Sequence, residues 1–472
     1  MGSTEIWRMS ASEQAQAIRC GEIGTVEAVE SAIGRLDAMN GALNAVVVDL
    51  REEALAAARE ADAARARGDE LGPLHGVPVT IKINVDFTGQ ANSNGVPGLL
   101  GLVARDDSPI VRNWRRAGAI AIGQTNTPEF SMRVMTENPI YGRTLNPWDP
   151  SITCGGSSGG AASSVAAGIG ALAHGNDIGG SLRSPAFACG VSTIKPTTGR
   201  VPAYNGTATS ERPMLAQITS SQGPIAREVR DVRLGLQAMI ARDPRDPWHV
   251  PLPFDGPALE GPLKVAVAEV PEGFSAHPAV LAAVEDAARM LADAGYVVER
   301  VKTPDIVRPL ELWFDLIPAE MRELQLGAYR SMATPEMNRI VDQYFEMCHA
   351  RDLKSFMAAS AERTGHIRNW MLFLERYPLV LTPLCLEPSL APDADLQGPG
   401  AVERVFRSFL FQTGLNTLAL PCAVVPTGLH EGRPIGVQLV ASRFREDVAL
   451  AAAEAIEDRA GVLARRLWDR EA

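Results

Sequence analysis

Residues 154 to 184 constrain this chain more than any other stretch. They hold two glycine-serine clusters, Gly155 to Gly160 and Gly179-Gly180-Ser181, separated by a run of small apolar residues from Ala161 to Ala173. Glycine tolerates positive φ and lets other groups approach the backbone closely. Two such clusters at the ends of one buried segment bring serine hydroxyls and free backbone N–H groups together. That arrangement suits a serine nucleophile, a proton relay and an oxyanion hole.

Three other uses of the first cluster fit less well. A flexible linker would not run straight into a segment with core character. A phosphate cradle would end in Gly-Lys-Ser/Thr or read GxGxxG, and neither is present. Gly155-Gly156-Ser157-Ser158-Gly159 matches GxSxG literally, but a nucleophile elbow follows a strand. Here Pro147 and Pro150 precede it, which argues against a central strand. A Ser-His-Asp triad is therefore disfavoured, with His430 left as its formal histidine.

Composition narrows the function classes. Lys and Arg total 45 against 56 Asp and Glu, a formal charge of −11. No basic run is present, which argues against a nucleic-acid or anionic-membrane partner. No apolar run reaches the length of a membrane span, and the N-terminus lacks the apolar segment of a signal peptide. Six scattered cysteines without a CxxC pair, and seven histidines without HxxxH spacing, point to a reduced cytoplasmic protein with buried thiols and no metal. No cofactor is expected.

Along the 472 residues, the pattern predicts an N-terminal helical layer over 1–70. It holds a short helix capped by Ser12 and stopped by Gly21, a helix from Thr25, a strand over 44–50 and a helix over 52–67. Val77 to Val85 reads as a β-branched strand with Lys82 in its middle. Such a lysine is ordinarily on an edge or a solvated face; the functional alternative is a desolvated base, and the strand alone leaves both open. A helix over 108–117, a strand over 119–123 and a loop-rich tract to Pro150 follow, and this alternation indicates a sheet with helical crossovers. Beyond the central stretch the pattern predicts a long polar loop to Gly223, a helix over 224–241, a connector over 243–263 and a βαβ unit over 264–302. An aromatic, Met-rich helical region over 307–376 comes next. Strand 378–382, helix 400–411, strands 417–426 and 434–441 and helix 446–457 complete the chain.

These residues together resemble the amidase signature family of serine hydrolases, which use a Ser-cisSer-Lys triad. The family's Gly-Gly-Ser-Ser-Gly-Gly stands at 155 to 160, and its Gly-Thr-Asp-x-Gly-Gly-Ser-Ile-Arg stands at 175 to 183 as Gly-Asn-Asp-Ile-Gly-Gly-Ser-Leu-Arg. Lys82 lies 75 residues before Ser157, and Ser181 lies 24 after it. Further matches are Gly123 to Asn126 with Glu129-Phe130, Asn146-Pro147-Trp148, Lys195-Pro196-Thr197, Gly223 to Arg227 and Pro434 to Gln438. The resemblance implies an α/β fold: one large α/β/α sandwich with a mixed central sheet and a helical insert lining the substrate pocket. It divides the chain into the helical layer 1–70, a signature core 71–242, the connector 243–263, a unit 264–398 carrying the insert, and closing strands and helix 399–472.

The resemblance also implies roles. Ser181 is the expected nucleophile, Ser157 the proton relay after a cis peptide bond, and Lys82 the neutral general base. The N–H groups of Ile178, Gly179, Gly180 and Ser181 are expected to form the oxyanion hole. Asp177, Arg183 and Ser158 support the site, and Ser131 and Met132 contact substrate. Departures from the family pattern are Asn176 for threonine, Ile83 for an acidic residue, Thr193 for glycine and Gln412 for asparagine, none expected to touch the triad. Loops 136–145 and 203–222 and the aromatic insert are expected to form the pocket. Its apolar content favours an amidase for aryl or alkyl amides, with carbamates (urethanes) and esters as further small-molecule substrates, acting as a monomer or homodimer. Two alternatives stand beside this reading: the glutaminase subunit of a tRNA-dependent amidotransferase, and a catalytically inactive binding protein on the same scaffold.

Overall fold

The computed structural model describes residues 3–470; the outer bounds 1 and 472 of the expected segments lie outside it. Thirteen strands form among the described residues. The first six are β1 (Val46–Asp49), β2 (Pro78–Lys82), β3 (Ile120–Thr125), β4 (Glu137–Asn138), β5 (Gly142–Arg143) and β6 (Leu172–Asp177). They are followed by β7 (Ser192–Lys195), β8 (Ser221–Ala226), β9 (Lys264–Ala268) and β10 (Val297–Val301). Last come β11 (Leu379–Pro383), β12 (Cys422–His430) and β13 (Arg433–Ala441).

Eleven of them build one sheet in the order β1-β3-β2-β6-β8-β7-β12-β13-β11-β9-β10, and β4 with β5 makes a separate hairpin. The sheet is mixed. β3, β2 and β6 run parallel, β11, β9 and β10 run parallel, and every other pairing is antiparallel. Near-continuous apolar runs such as Val437, Leu439, Val440 and Ala441 in β13 are buried because helices cover the sheet on both faces. Two large apolar clusters result. One packs the small-residue helix Gly159–Ala166 with the aromatic helices, and the other packs helices 229–239, 278–293 and 446–460.

Several boundaries differ from the sequence reading. Ser10, not Ser12, caps the first helix: its hydroxyl takes the Glu13 N–H and the Glu13 carboxylate returns to the Ser10 N–H, while Ser12 binds Asp231. The polar loop before Gly223 contains a short helix, Met214–Thr219, and residues 221–226 form β8, so the helix begins at Val229. Pro224 hid this strand. Its carbonyl accepts from Thr193 Oγ1 at 2.7 Å, and pairing with β7 covers only Ile225 and Ala226. The missing N–H thus falls where that ladder has ended. Residues 410–417 are helical, delaying the next strand to Cys422, and a further helix spans Leu463–Trp468. Cys20 is exposed, while the other five cysteines are buried thiols.

Candidate active site

β2 and β6 are parallel neighbours, so their C-terminal ends emerge side by side, the usual position for a site in an α/β sheet. β2 ends at Lys82 itself, which is therefore at the last strand residue and not in the middle of a longer strand. β6 ends at Asp177 and leads into the turn 178–182. The loop before helix Gly159–Ala166 closes over both. Gly156 is required there, since a Cβ would sit 2.6 Å from the Arg133 carbonyl oxygen. The Gly156–Ser157 peptide is cis.

Lys82 is fully buried, and its Nζ lies within hydrogen-bonding distance of three oxygens: Ser157 Oγ at 2.7 Å, Asn176 Oδ1 at 2.9 Å and Ser158 Oγ at 3.2 Å. Burial holds its pKa well below the usual lysine value, opposed by the negative charge of Asp177. A cavity of about 720 Å³ opens beside it, lined by Ser157, Asn176 and the turn from Ile178 to Ser181, among others. Lys82 does not line the cavity; Ser157 does, and it touches both.

Asp177 and Arg183 are both fully buried and joined by two bonds of 3.0 Å, with Arg183 also donating to Gln438 at 2.8 Å. Burial pushes the Asp177 carboxyl up, but the Arg183 charge and its hydrogen bonds outweigh this and hold it low. The same carboxylate accepts the N–H groups of Gly180 (2.9 Å) and Leu182 (3.1 Å). Gly180 is therefore a correction to the expected set of oxyanion donors: its N–H is already occupied. The N–H groups of Ile178, Gly179 and Ser181 have no partner among the described residues.

Asn176 is a second correction. This departure from the family pattern was expected to stay clear of the triad, yet it accepts from Lys82 and exchanges hydrogen bonds with Asn84 (2.9 and 3.2 Å). Sequence reasoning missed Asn84, although it follows Lys82 by two residues and an alternating strand would place it on the same side. Ser131 and Met132 both line the cavity, where Ser131 Oγ binds Asn94, Asn84 and Thr127. The 203–222 segment and helix Val307–Leu324 also line it. The 136–145 loop does not: its Arg143 pairs with Glu137 and Asp393, tying the hairpin elsewhere. His430 packs against His277 at 5.3 Å between ring centres, away from the cavity lining.

Known proteins share this arrangement of sequence and fold. The family described as Amidase matches residues 27–450. An indoleacetamide hydrolase of Bradyrhizobium diazoefficiens is 55% identical over 465 residues, covering 98% of this chain and 89% of the relative. A 6-aminohexanoate-cyclic-dimer hydrolase of a Pseudomonas species is 32% identical over 496 residues, covering 99% of this chain and 97% of the relative. A solved bacterial aryl acylamidase of the amidase signature family superposes with a TM-score of 0.82 at 26% identity, covering 98% of both chains. Among the described residues no helix is long and apolar enough to cross a membrane. With a family match running through nearly the whole chain, this protein belongs to the amidase signature family and is an amidase, a hydrolase of amide carbon–nitrogen bonds.

Proposed function

We propose that the enzyme hydrolyses primary amides of arylacetic acids, with indole-3-acetamide as the leading substrate, through a Ser181 acyl-enzyme. The observation that carries the mechanism is the placement of Ser157 between a buried lysine and the cavity. A serine hydroxyl is a weak nucleophile at neutral pH without a base. Neutral Lys82 has two N–H groups, which Ser158 Oγ and Asn176 Oδ1 accept, leaving its lone pair for the Ser157 proton. As Ser157 loses that proton to Lys82 it takes one from Ser181, whose Oγ bonds to the amide carbon. Breakdown returns the proton through Ser157 to the leaving nitrogen, so ammonia departs and Ser181 carries the acyl group. Water then repeats the sequence, releasing the carboxylic acid and restoring Ser181.

The negative oxygen formed at each step is held by free N–H groups of the turn after β6, from Ile178, Gly179 and Ser181. One such donor is worth about 3 kcal/mol of barrier. Asp177 and Arg183 hold the turn and take no proton. The aryl preference rests on the aromatic wall of the cavity, where Trp313 stacks on Phe406 at 5.5 Å and Phe130 meets Tyr329 at 4.5 Å. It also rests on the 55% identical indoleacetamide hydrolase. Carbamates and aryl esters fit the same acyl-enzyme chemistry as secondary substrates.

A panel of indole-3-acetamide, p-nitroacetanilide, an aryl carbamate, a p-nitrophenyl ester and glutamine, run with Ser181→Ala beside it, tests this. Turnover of the arylacetamide above the rest, lost in the variant, is the expected result. Glutamine cleaved fastest, or no turnover until a partner chain is added, would replace this reading with the amidotransferase one.

A further inference from the structure

Four consecutive carbonyls in the turn after β6 are held from outside it. The Ile178 oxygen accepts from Trp313 Nε1 at 2.6 Å, and the Gly179 oxygen from Thr413 Oγ1 at 3.0 Å. The Gly180 oxygen accepts from Ser184 N at 2.8 Å, and the Ser181 oxygen from Ser158 N at 3.2 Å. In a trans peptide the N–H points opposite to the C=O of the same plane. Fixing a carbonyl therefore aims the next residue's N–H. The Gly179–Gly180 plane is pinned at both ends, by Thr413 and by Asp177. The Ile178–Gly179 plane is pinned at one end alone, by the Trp313 indole, and its Gly179 N–H is free among the described residues.

Trp313 comes from helix Val307–Leu324, far from the turn in sequence, and the same indole lines the cavity. It also packs on Gly179 closely enough that a Cβ there would lie 3.3 Å from the ring. We propose that Trp313 is a positioning residue for catalysis, whose indole N–H holds the Ile178–Gly179 peptide so that the Gly179 N–H faces the developing oxyanion. This rests on the proposed oxyanion role of the turn. The aromatic insert then does two jobs through one side chain: its ring surface is pocket wall, and its N–H sets the transition-state donor. Without that bond, a peptide flanked by glycine is free to rotate and withdraw the donor.

The test separates the N–H from the ring. Trp313 is replaced site-specifically by benzothienylalanine, which keeps the fused-ring shape and substitutes sulfur for the N–H, and in parallel by Trp313→Phe. Both are assayed on indole-3-acetamide and on propionamide, which is too short to lean on the ring. Loss of an aligned oxyanion donor costs about 10²-fold in kcat, so the sulfur isostere is expected to lose about 10- to 100-fold in kcat on both amides, with KM within about twofold. An unchanged kcat for the isostere, or a loss confined to KM for indole-3-acetamide, would overturn the proposal and leave Trp313 as pocket wall. Ser181→Ala is the control on the underlying reading: if that variant keeps turnover, the acyl-enzyme and its oxyanion hole fail together, whatever Trp313 does.

Discussion

Two strands of the sheet, separated by β6 and β8, end in the same way and do different things. β2 and β7 both terminate in a lysine, Lys82 and Lys195, and both side chains are fully buried with pKa values depressed by that burial. Lys195 falls to about 8, yet among the described residues its Nζ hydrogen-bonds only the Pro196 carbonyl, at 3.1 Å, and does not line the cavity. Lys82 meets three side-chain oxygens, one of them the cavity-lining Ser157. Burial therefore prepares a lysine to lose its proton, but a base also needs a hydroxyl to serve and a route to substrate.

The largest effect that could break this contrast is on turnover. Lys82→Ala should lower kcat/KM by about 10⁴-fold, the upper range for a general base. Steady-state rates on an arylacetamide check this, and a loss below tenfold would remove Lys82 from the mechanism. Because only the neutral amine accepts a proton, activity falls as pH drops through the Lys82 pKa. Burial sets that limb below the free lysine value of about 10.4.

Next in size is the pair lying beside both lysines. Asp177→Asn leaves Arg183 buried without its counter-charge and should cost about 3–5 kcal/mol of stability by urea denaturation. Asn176→Ala removes one acceptor from Lys82. The plateau of kcat/KM should fall about 10-fold, which is what a hydrogen bond to a charged group of about 1.5 kcal/mol is worth. The acid limb should move to lower pH, since the protonated amine loses more than the neutral one. A pH–rate profile that keeps its midpoint would show that Asn176 acts on packing alone.

The smallest effect belongs to Lys195→Met, expected to keep activity within about threefold because no reacting group touches it. Its signature is in stability. Between pH 8 and the free lysine value the unfolded chain holds a proton at position 195 that the folded chain has released, so stability rises with pH across that window. The methionine variant should flatten that rise in denaturation curves taken at pH 8 and 10.5. A collapse of turnover in this variant would dissolve the distinction between the two lysines.

Legibility followed the range of the interactions. Gly21 was readable as a helix stop because its φ of 75° is a local demand that glycine alone meets cheaply. β8 was not, since whether Pro224 can sit in an interior strand depends on how far β7 extends alongside it. Among candidate site residues, the resemblance singled out Lys82, Ser157 and Ser181, and the structure puts Lys82 against Ser157 and lines the cavity with both serines. That Asn176 reaches Lys82, 94 residues away, was not readable in the sequence.

The sequence by itself determined the family, the glycines that permit the cis-linked Ser157 loop and the turn after β6, and the residue types available for catalysis. Those properties are written in single residues and their immediate neighbours. Only the tertiary structure decided which lysine faces a hydroxyl, which backbone N–H groups stay free and which indole aims one of them. The lysine and its hydroxyl are brought together from 75 residues apart and the indole and its carbonyl from 135, where solvent exclusion and hydrogen-bond competition set the chemistry.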